Sequence, residues 1–175
     1  LAGQFSRSIK KGDFNDDGIV DLVTANGGTS DVSVLIGSGS GTFAAPASFA
    51  TAFAPNAVAV SDLNNDGNQD LAVANAGFAA VSILLGTGTG SFGAKTDFAT
   101  PAAALSVVIG DLNADGIPDL GMGGSTFTAY LIGTGTGSFG PATSLGSTDT
   151  YAMTATDLDD DGARDLAAAI GSVDE

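Results

Sequence analysis

The sequence contains no cysteine, no histidine and no tryptophan, and it has only five basic residues. The lack of cysteine excludes disulfides, zinc-thiolate sites, redox motifs and a thiol nucleophile. The lack of histidine excludes a serine triad of the usual kind and an imidazole metal site. Twenty acidic residues against five basic ones give a formal net charge of −15, which disfavours nucleic acid and anionic membrane surfaces as partners.

Long hydrophobic runs are also missing. The least polar long stretch, residues 43–60, is interrupted by Pro46 and Pro55 and by several hydroxyl side chains, so no membrane insertion is expected. The composition is nevertheless 43% hydrophobic and only 14% charged, which is typical of a chain that folds. Glycine supplies 26 of the 175 residues, about twice its ordinary share, and this indicates many tight turns.

The acidic residues are concentrated in four segments of the form D-x-[ND]-x-D-G-x-x-D, which we call the acidic loops. Fifteen of the twenty acidic residues lie in these loops, at 13–21, 62–70, 111–119 and 157–165. Segments of the form G-[ST]-G-[ST]-G-[ST]-F, the Gly-rich turns, keep the same period and lie at 37–43, 86–92 and 133–139. Internal repeats of this length are typical of propellers or arrays.

The period divides residues 1–175, as a single propeller segment, into about three and a half repeats of about 49 residues. The predicted repeats are approximately 4–51, 52–100, 101–148 and a truncated 149–175. In the second repeat, short apolar runs at 57–60, 71–74 and 81–85 and a weaker one at 92–99 are bounded by Gly, Asn and Asp, which is typical of strands. The predicted fold is all-β, with propeller blades that are four-stranded antiparallel sheets.

Each acidic loop carries the oxygen ligands of a calcium site. Side-chain oxygens occur at positions 1, 3, 5 and 9, the carbonyl of position 7 can add a ligand, and the glycine at position 6 permits the sharp turn. The candidate ligands are Asp13, Asn15, Asp17, Ile19, Asp21, Asp62, Asn64, Asp66, Asn68, Asp70, Asp111, Asn113, Asp115, Ile117, Asp119, Asp157, Asp159, Asp161, Ala163 and Asp165. Up to four Ca²⁺ ions are therefore expected, one in each loop.

Other interpretations of these segments are weaker. Zinc or copper requires softer nitrogen or sulfur donors, while magnesium stays open but needs a stricter octahedral geometry. A single Asp-Gly pair is typical of a polar turn, but four segments in register, each with aspartate returning at position 9, favour metal binding. The Gly-rich turns lack the lysine and helix of a phosphate loop, and the paired carboxylates lie in the metal loops, so no enzyme activity is predicted.

At this point the sequence resembles the FG-GAP or VCBS repeats of integrin-α-like β-propellers. The Phe-Gly and Gly-Ala-Pro segments of that family correspond to residues 92–95, 139–141 and, in a degraded form, 43–46, and the acidic loops match its calcium loops. The resemblance implies a propeller, commonly of seven blades, with calcium in the hairpin between the first two strands of a blade. It also implies an extracellular or cell-surface protein that adheres, binds glycans or partner proteins, or accompanies an enzyme.

Two departures from the family pattern bear on assembly. Three and a half blades cannot close a ring, so we expect either an open fragment of a longer chain that completes the propeller or a homo-oligomer. Lys10 and Lys11 stand where the later repeats have Ala59-Val60 and Val108-Ile109, so the first strand is either less apolar or paired in a different register.

The predicted function is that of a calcium-binding, non-enzymatic propeller segment with a structural, adhesion or assembly role, whose partner is a protein or a glycan at the cell surface. The alternatives are a lectin-like glycan-binding module and an accessory domain of a larger extracellular hydrolase. Phe53, Phe78 and Phe127 are candidate partner contacts at the end opposite the acidic loops, although packing in the core is the simpler role for Phe78. Lys95 and Arg164 are expected to be solvated charges.

Overall fold

The computed structural model describes residues 4–147 and 149–171, and these form fourteen strands and no helix. Residue 148, at the end of the third predicted repeat, and residues 172–175, at the end of the fourth, lie outside the described residues. No helix among the described residues is long and apolar enough to cross a membrane.

The strands form three four-stranded antiparallel sheets and one hairpin, each in simple chain order. The first sheet contains β1 (Ser6–Gly12), β2 (Asp21–Asn26), β3 (Asp31–Leu35) and β4 (Ala47–Ala50). The second contains β5 (Pro55–Ser61), β6 (Asp70–Asn75), β7 (Ala80–Leu84) and β8 (Thr96–Ala99). The third contains β9 (Ser106–Gly110), β10 (Asp119–Gly124), β11 (Phe127–Leu131) and β12 (Thr143–Gly146), and the hairpin contains β13 (Thr150–Thr156) and β14 (Asp165–Ile170).

Every acidic loop closes the hairpin between the first two strands of its sheet, and it does so in the same register. The last residue of the first strand pairs with the aspartate at position 9, as in Gly12 with Asp21 and Ser61 with Asp70. The third sheet and the final hairpin repeat this pairing. Because the turn is identical in each unit, the four loops are held at the same end of the sheets.

The sheets stack face to face, and the core lies between them. One cluster joins the first two sheets and contains Val23 and Val34 on one side and Val58, Leu71 and Leu84 on the other. A second cluster joins the next pair of sheets. The second sheet therefore buries both faces, and every residue of β6 and β7 is buried. The outermost strands β4, β8 and β12 stay largely exposed.

The register of the first strand is the same as in the later units. Lys11 pairs with Leu22 just as Val60 pairs with Leu71, and Ile109 pairs with Leu120 in the third sheet. The first strand is therefore less apolar than its counterparts and is not paired in a different register, and Lys10 and Lys11 are both exposed. Lys11 is tolerated because, among the described residues, no preceding sheet covers the face of β1 that it shares with Leu22.

Candidate metal centres

The aspartate at position 1 organises the backbone of each acidic loop. In the first loop, Asp13 Oδ1 accepts a hydrogen bond from the amide of Asp17 at 3.2 Å, and Asp13 Oδ2 accepts one from the amide of Gly18 at 2.8 Å. The second and third loops repeat both bonds. Gly18 has a φ of +78°, a left-handed conformation that glycine adopts without steric cost, and this brings the end of the loop back toward its start.

Positions 3 and 5 are coupled through their side chains in the first three loops. The amide of Asn15 donates to Asp17 Oδ2 at 2.8 Å, while Asp17 Oδ1 accepts the backbone N–H of Ile19 at 2.7 Å. In the second loop, the backbone N–H of Asn68 and then the side chain of Asn64 hold the pKa of Asp66 below its ordinary value. These contacts favour the ionised carboxylate of Asp66, which is the state that a cation requires.

The aspartate at position 9 is buried in the three complete sheets, and both of its oxygens accept backbone hydrogen bonds. Asp70 Oδ2 accepts the N–H of Leu63 at 2.8 Å, and Asp70 Oδ1 accepts the N–H of Gly86, at the start of the Gly-rich turn, at 2.7 Å. Asp21 and Asp119 make the same pair of bonds. Burial raises the pKa of Asp70 and of Asp119 above the ordinary value, although the N–H donors oppose this shift. Position 9 thus ties the acidic loop to the Gly-rich turn.

The Gly-rich turns are shaped by this contact and by the preceding sheet. A Cβ on Gly86 would lie 2.2 Å from the carbonyl oxygen of Gln69, which leaves no room for any side chain. The amide of Gly90 donates to the carbonyl of Phe14 at 2.6 Å, and the amide of Gly137 donates to the carbonyl of Leu63 at 3.0 Å. Each of these turns therefore binds the acidic loop of the sheet before it.

The oxygen arrangement fits a hard cation best in the fourth loop. Asp157, Asp159 and Asp165 each offer a carboxylate oxygen, and these oxygens lie within 4.8 Å of one another. In residues 4–147 and 149–171 this is the one group of three acidic side chains that converges so closely. In the first loop, Asn15 Oδ1 is buried and accepts no hydrogen bond. Its lone pairs are therefore free to bind a cation.

The remaining candidate ligands are in the loops as predicted, but their convergence differs. In the first three loops position 3 is an asparagine, and the three carboxylates of each loop do not converge to the same distance within the described residues. The ligand roles of all twenty candidates stay predictions, including those of the position-7 carbonyls of Ile19, Asn68, Ile117 and Ala163 and that of Asp161. The hydrogen bond from the Gly-rich turn to the aspartate at position 9 was not predicted from the sequence. The two residues are separated by 16 positions in the first two repeats and by 14 in the third, and this near-constant spacing indicates the contact.

Three predictions outside the loops need correction or refinement. Phe127 is a core residue rather than a surface contact, because it packs into the cluster between the second and third sheets. Phe78 is exposed, not packed in the core, and the exposed Phe53 packs over Gly77, the residue before Phe78. Lys95 is not simply solvated, since it forms an ion pair with Asp97.

Stacked four-stranded antiparallel sheets in simple chain order define blades of the β-propeller class. The sequence profile of the FG-GAP-like repeat matches residues 13–73 and again residues 62–122. The chain belongs to the FG-GAP-like repeat family. No curated protein sequence matches the chain.

Solved structures give the same fold. A lectin of Agrocybe aegerita that recognises non-reducing terminal N-acetylglucosamine is 25% identical with a TM-score of 0.65, and the match covers 90% of this chain and 45% of the lectin. The V. cholerae biofilm matrix protein Bap1 is 19% identical with a TM-score of 0.55, and the match covers 95% of this chain and 29% of Bap1. A Bacillus licheniformis rhamnogalacturonan lyase is 14% identical with a TM-score of 0.54, over 95% of this chain and 41% of the lyase. The chain thus spans less than half the length of each protein.

Proposed function

We propose that this chain is a calcium-binding, non-enzymatic β-propeller segment of a secreted or cell-surface protein, with a structural, adhesion or assembly role. The observation that carries the proposal is the convergence of Asp157, Asp159 and Asp165 in an acidic loop that the chain repeats four times. Oxygen-only donors favour Ca²⁺ over transition metals. The buried, unpaired Oδ1 of Asn15 gives independent support in the first loop.

Calcium would stabilise the fold because each acidic loop joins the first two strands of its sheet. Without a cation, several carboxylates in one loop repel each other, and this opposes closure of the hairpin. Extracellular calcium modules bind with dissociation constants of about 10⁻⁴ to 10⁻³ M, which the calcium concentration outside cells is sufficient to fill. We therefore propose a location outside the cell, where calcium sites of this affinity class would be filled.

The direct test is thermal unfolding in calcium and in chelator. A site with a dissociation constant of about 10⁻⁴ M, in about 10 mM calcium, raises the free energy of unfolding by about 2.7 kcal/mol, which corresponds to a rise in Tm of roughly 5 to 10 °C for a domain of this size. Several filled sites raise it further. Identical melting curves in calcium and in chelator would contradict the proposal.

A matched pair of variants assigns the effect to the fourth loop. Asp159→Asn removes one of the three converging carboxylates, so it should weaken calcium binding and reduce the calcium-dependent rise in Tm. Asp160→Asn makes the same charge change at position 4, where the side chain is not a predicted ligand and where a φ of +62° suits asparagine. Isothermal titration calorimetry on both variants should show a loss of binding in the first only. Equal losses would show a general charge effect.

Glycan binding is a second candidate function. The support is the similarity to the N-acetylglucosamine-specific lectin over 90% of this chain, together with the exposed side chains of Phe53 and Phe78, which lie on two loops joined by the hydrogen bond from the Gly77 amide to the Phe53 carbonyl. Aromatic faces supply much of the contact area in small-ligand sites. Titration with N-acetylglucosamine in the presence of calcium should shift the NMR signals of the two rings if this function is correct. Unchanged spectra at tens of millimolar sugar would exclude this sugar as the ligand.

A further inference from the structure

The second Gly-rich turn lies between two acidic loops and contacts both of them. A Cβ on Gly88, in the middle of this turn, would lie 2.3 Å from the side-chain oxygen of Asn68, at position 7 of the second loop. The same Cβ would lie 2.9 Å from a carboxylate oxygen of Asp16, at position 4 of the first loop. In the third turn, a Cβ on Gly135 would lie 3.4 Å from the side-chain amide of Asn65, at position 4 of the second loop. The second and third turns thus fill the narrow space beside the preceding loop.

Hydrogen bonds make this contact continuous from the first loop to the second. Phe14, at position 2 of the first loop, donates its N–H to the Asp21 carboxylate at 2.8 Å. Its carbonyl oxygen accepts the N–H of Gly90, near the end of the second turn, at 2.6 Å. At the start of the same turn, Gly86 donates its N–H to the Asp70 carboxylate at 2.7 Å. The turn therefore connects the backbone of the first loop to the candidate ligand at position 9 of the second.

The same pattern of hydrogen bonds connects the second loop to the third. Leu63, at position 2, donates its N–H to the Asp70 carboxylate at 2.8 Å, and its carbonyl oxygen accepts the N–H of Gly137 at 3.0 Å. At the start of that turn, Gly133 donates its N–H to the Asp119 carboxylate at 2.7 Å. Three consecutive acidic loops are therefore joined through the Gly-rich turns that separate them.

Side-chain packing holds each turn against the loop before it. Phe14 is 2% exposed, and its ring packs edge-on against Phe92, the last residue of the second turn, with the ring centroids 5.6 Å apart. Leu63 is 1% exposed and lies in the same core cluster as Phe139, the last residue of the third turn. Because closely packed interiors transmit displacements to their neighbours, a turn and the preceding loop are expected to move together.

The residue at position 8 adds a second contact between neighbouring loops. Gln69, in the second loop, accepts the backbone N–H of Asp13 on its side-chain oxygen at 3.0 Å, and Asp13 is the position-1 ligand candidate of the first loop. Gly12 leaves room for this contact, since a Cβ there would lie 2.2 Å from the same oxygen. In the fourth loop, the backbone N–H of Arg164 donates to the carbonyl of Asp111 in the third loop at 2.6 Å.

We propose that neighbouring acidic loops bind calcium cooperatively, because the Gly-rich turn between them transmits the order of one loop to the next. The inference rests on the calcium binding proposed above. When the second loop is filled, its positions 7 and 9 are held in place, and so is the turn that they contact. The first loop then has less conformational entropy to lose on binding. The effect is reciprocal, and couplings of this kind typically change affinity by about 5- to 150-fold.

Electrostatics alone predicts a coupling of the opposite sign. The second loop carries three aspartates, so its formal charge is −1 with one Ca²⁺ bound and −2 when Asp66→Asn leaves it empty. A more negative neighbour attracts a cation more strongly, so charge alone would tighten calcium binding in the first loop of this variant. Coupling through the turn should weaken it instead. The direction of the change in affinity therefore distinguishes the two causes.

The test is a calcium titration followed by NMR of the isotope-labelled chain. In each loop the amide of the position-6 glycine donates to the position-1 aspartate, so it reports on its own loop; these glycines are Gly18, Gly67, Gly116 and Gly162. Asp66→Asn should raise the midpoint at Gly67, because it removes a candidate ligand. It should also raise the midpoints at Gly18 and Gly116 by about fivefold or more. The midpoint at Gly162, two loops away, should change least.

A second substitution tests Gln69 as a positioning residue for the first loop. Gln69→Leu removes the acceptor of the Asp13 amide but no candidate metal ligand. In this background the effect of Asp66→Asn on Gly18 should become smaller, while its effect on Gly116 should persist because the third turn is untouched. Gln69→Glu keeps an acceptor oxygen and should restore the coupling, whereas a merely structural contact would shift both midpoints alike.

The possible outcomes separate this inference from the calcium proposal. A midpoint at Gly18 that is unchanged or lowered in Asp66→Asn would overturn the coupling and leave calcium binding intact. An unchanged midpoint at Gly67 would remove position 5 from the ligands and overturn both proposals for this loop. If none of the four amides responds to calcium in the parent chain, both proposals are wrong. An unchanged effect on Gly18 in Gln69→Leu would overturn the role of Gln69. Circular dichroism of each variant confirms that it is folded.

Discussion

Substitution of Gly86 by alanine tests the tie between an acidic loop and its Gly-rich turn without removing any candidate metal ligand. The added Cβ would lie 2.2 Å from the carbonyl oxygen of Gln69, about 1 Å inside van der Waals contact, so the backbone must move. Movement there lengthens the bond from the Gly86 amide to the buried Asp70 carboxylate, now 2.7 Å. Loss of a hydrogen bond to a charged group costs about 1.5 to 3 kcal/mol, and the strain of overpacking costs about 1 to 3 kcal/mol.

The expected loss for Gly86→Ala is thus about 3 kcal/mol in the free energy of unfolding, which lowers Tm by about 10 °C in a domain of this length. Gly93→Ala is the matched control, because its Cβ would meet only the carbonyl of Leu85 at an ordinary 3.7 Å. The free energy of unfolding of both variants is measured by urea denaturation, which is followed by circular dichroism. The difference should persist in chelator, since the bond from Gly86 to Asp70 does not involve a metal ion. A difference of less than about 0.5 kcal/mol between the two variants would refute the reasoning.

Two further predictions concern positions with unusual backbone or electrostatic environments. Ala114 adopts a φ of +59°, a left-handed conformation that costs alanine about 1 kcal/mol but costs asparagine less because its side chain hydrogen-bonds locally, so Ala114→Asn should raise the free energy of unfolding by up to about 1 kcal/mol in urea denaturation; no change would show that the loop is unstrained there. The hydrogen bond from Tyr151 to the Asp149 carboxylate raises the pKa of the tyrosine above its ordinary value of 10.0. This hydrogen bond should therefore stabilise the fold fully below pH 10.0, and the stabilisation should be lost as the pH rises through the pKa of the folded state. Ultraviolet titration should detect this shift, and Asp149→Asn should abolish it; a titration that the substitution leaves unchanged would contradict the assignment.

The strand pattern could be predicted because each strand is a short apolar run that ends at a turn with its own local signal. The acidic loop closes through bonds between residues at most seven positions apart, such as Asp13 to Gly18 and Phe14 to Asp21, so its conformation follows from the nine residues themselves. The repeat period then carries the prediction from one unit to the next, and the family match over residues 13–122 agrees with it.

The burial of individual aromatic residues could not be predicted in the same way. Phe127 and Phe78 both follow a strand-end turn, yet the first is buried and the second is exposed. The difference is decided by the neighbouring sheet, because Phe127 fits into the cluster between the second and third sheets while Phe78 lies on a loop beyond that contact. The spacing of residues within one unit does not predict whether such a phenylalanine is buried or exposed.

The sequence by itself determined the number of units, the all-β fold and the position of every acidic loop, since these depend on contacts within a few residues and on a pattern that the chain repeats. Only the tertiary structure decided that Asp70 is buried and hydrogen-bonded to a turn 16 residues away, and that the second and third Gly-rich turns bind the acidic loop of the preceding sheet. The bond from Gly86 to Asp70 joins distant parts of one unit, whereas the bonds from the Gly-rich turns to the preceding acidic loops join separate units and depend on which faces meet when the sheets stack. For that reason equivalent residues, such as Leu63 and Leu158, are buried in one unit and exposed in another.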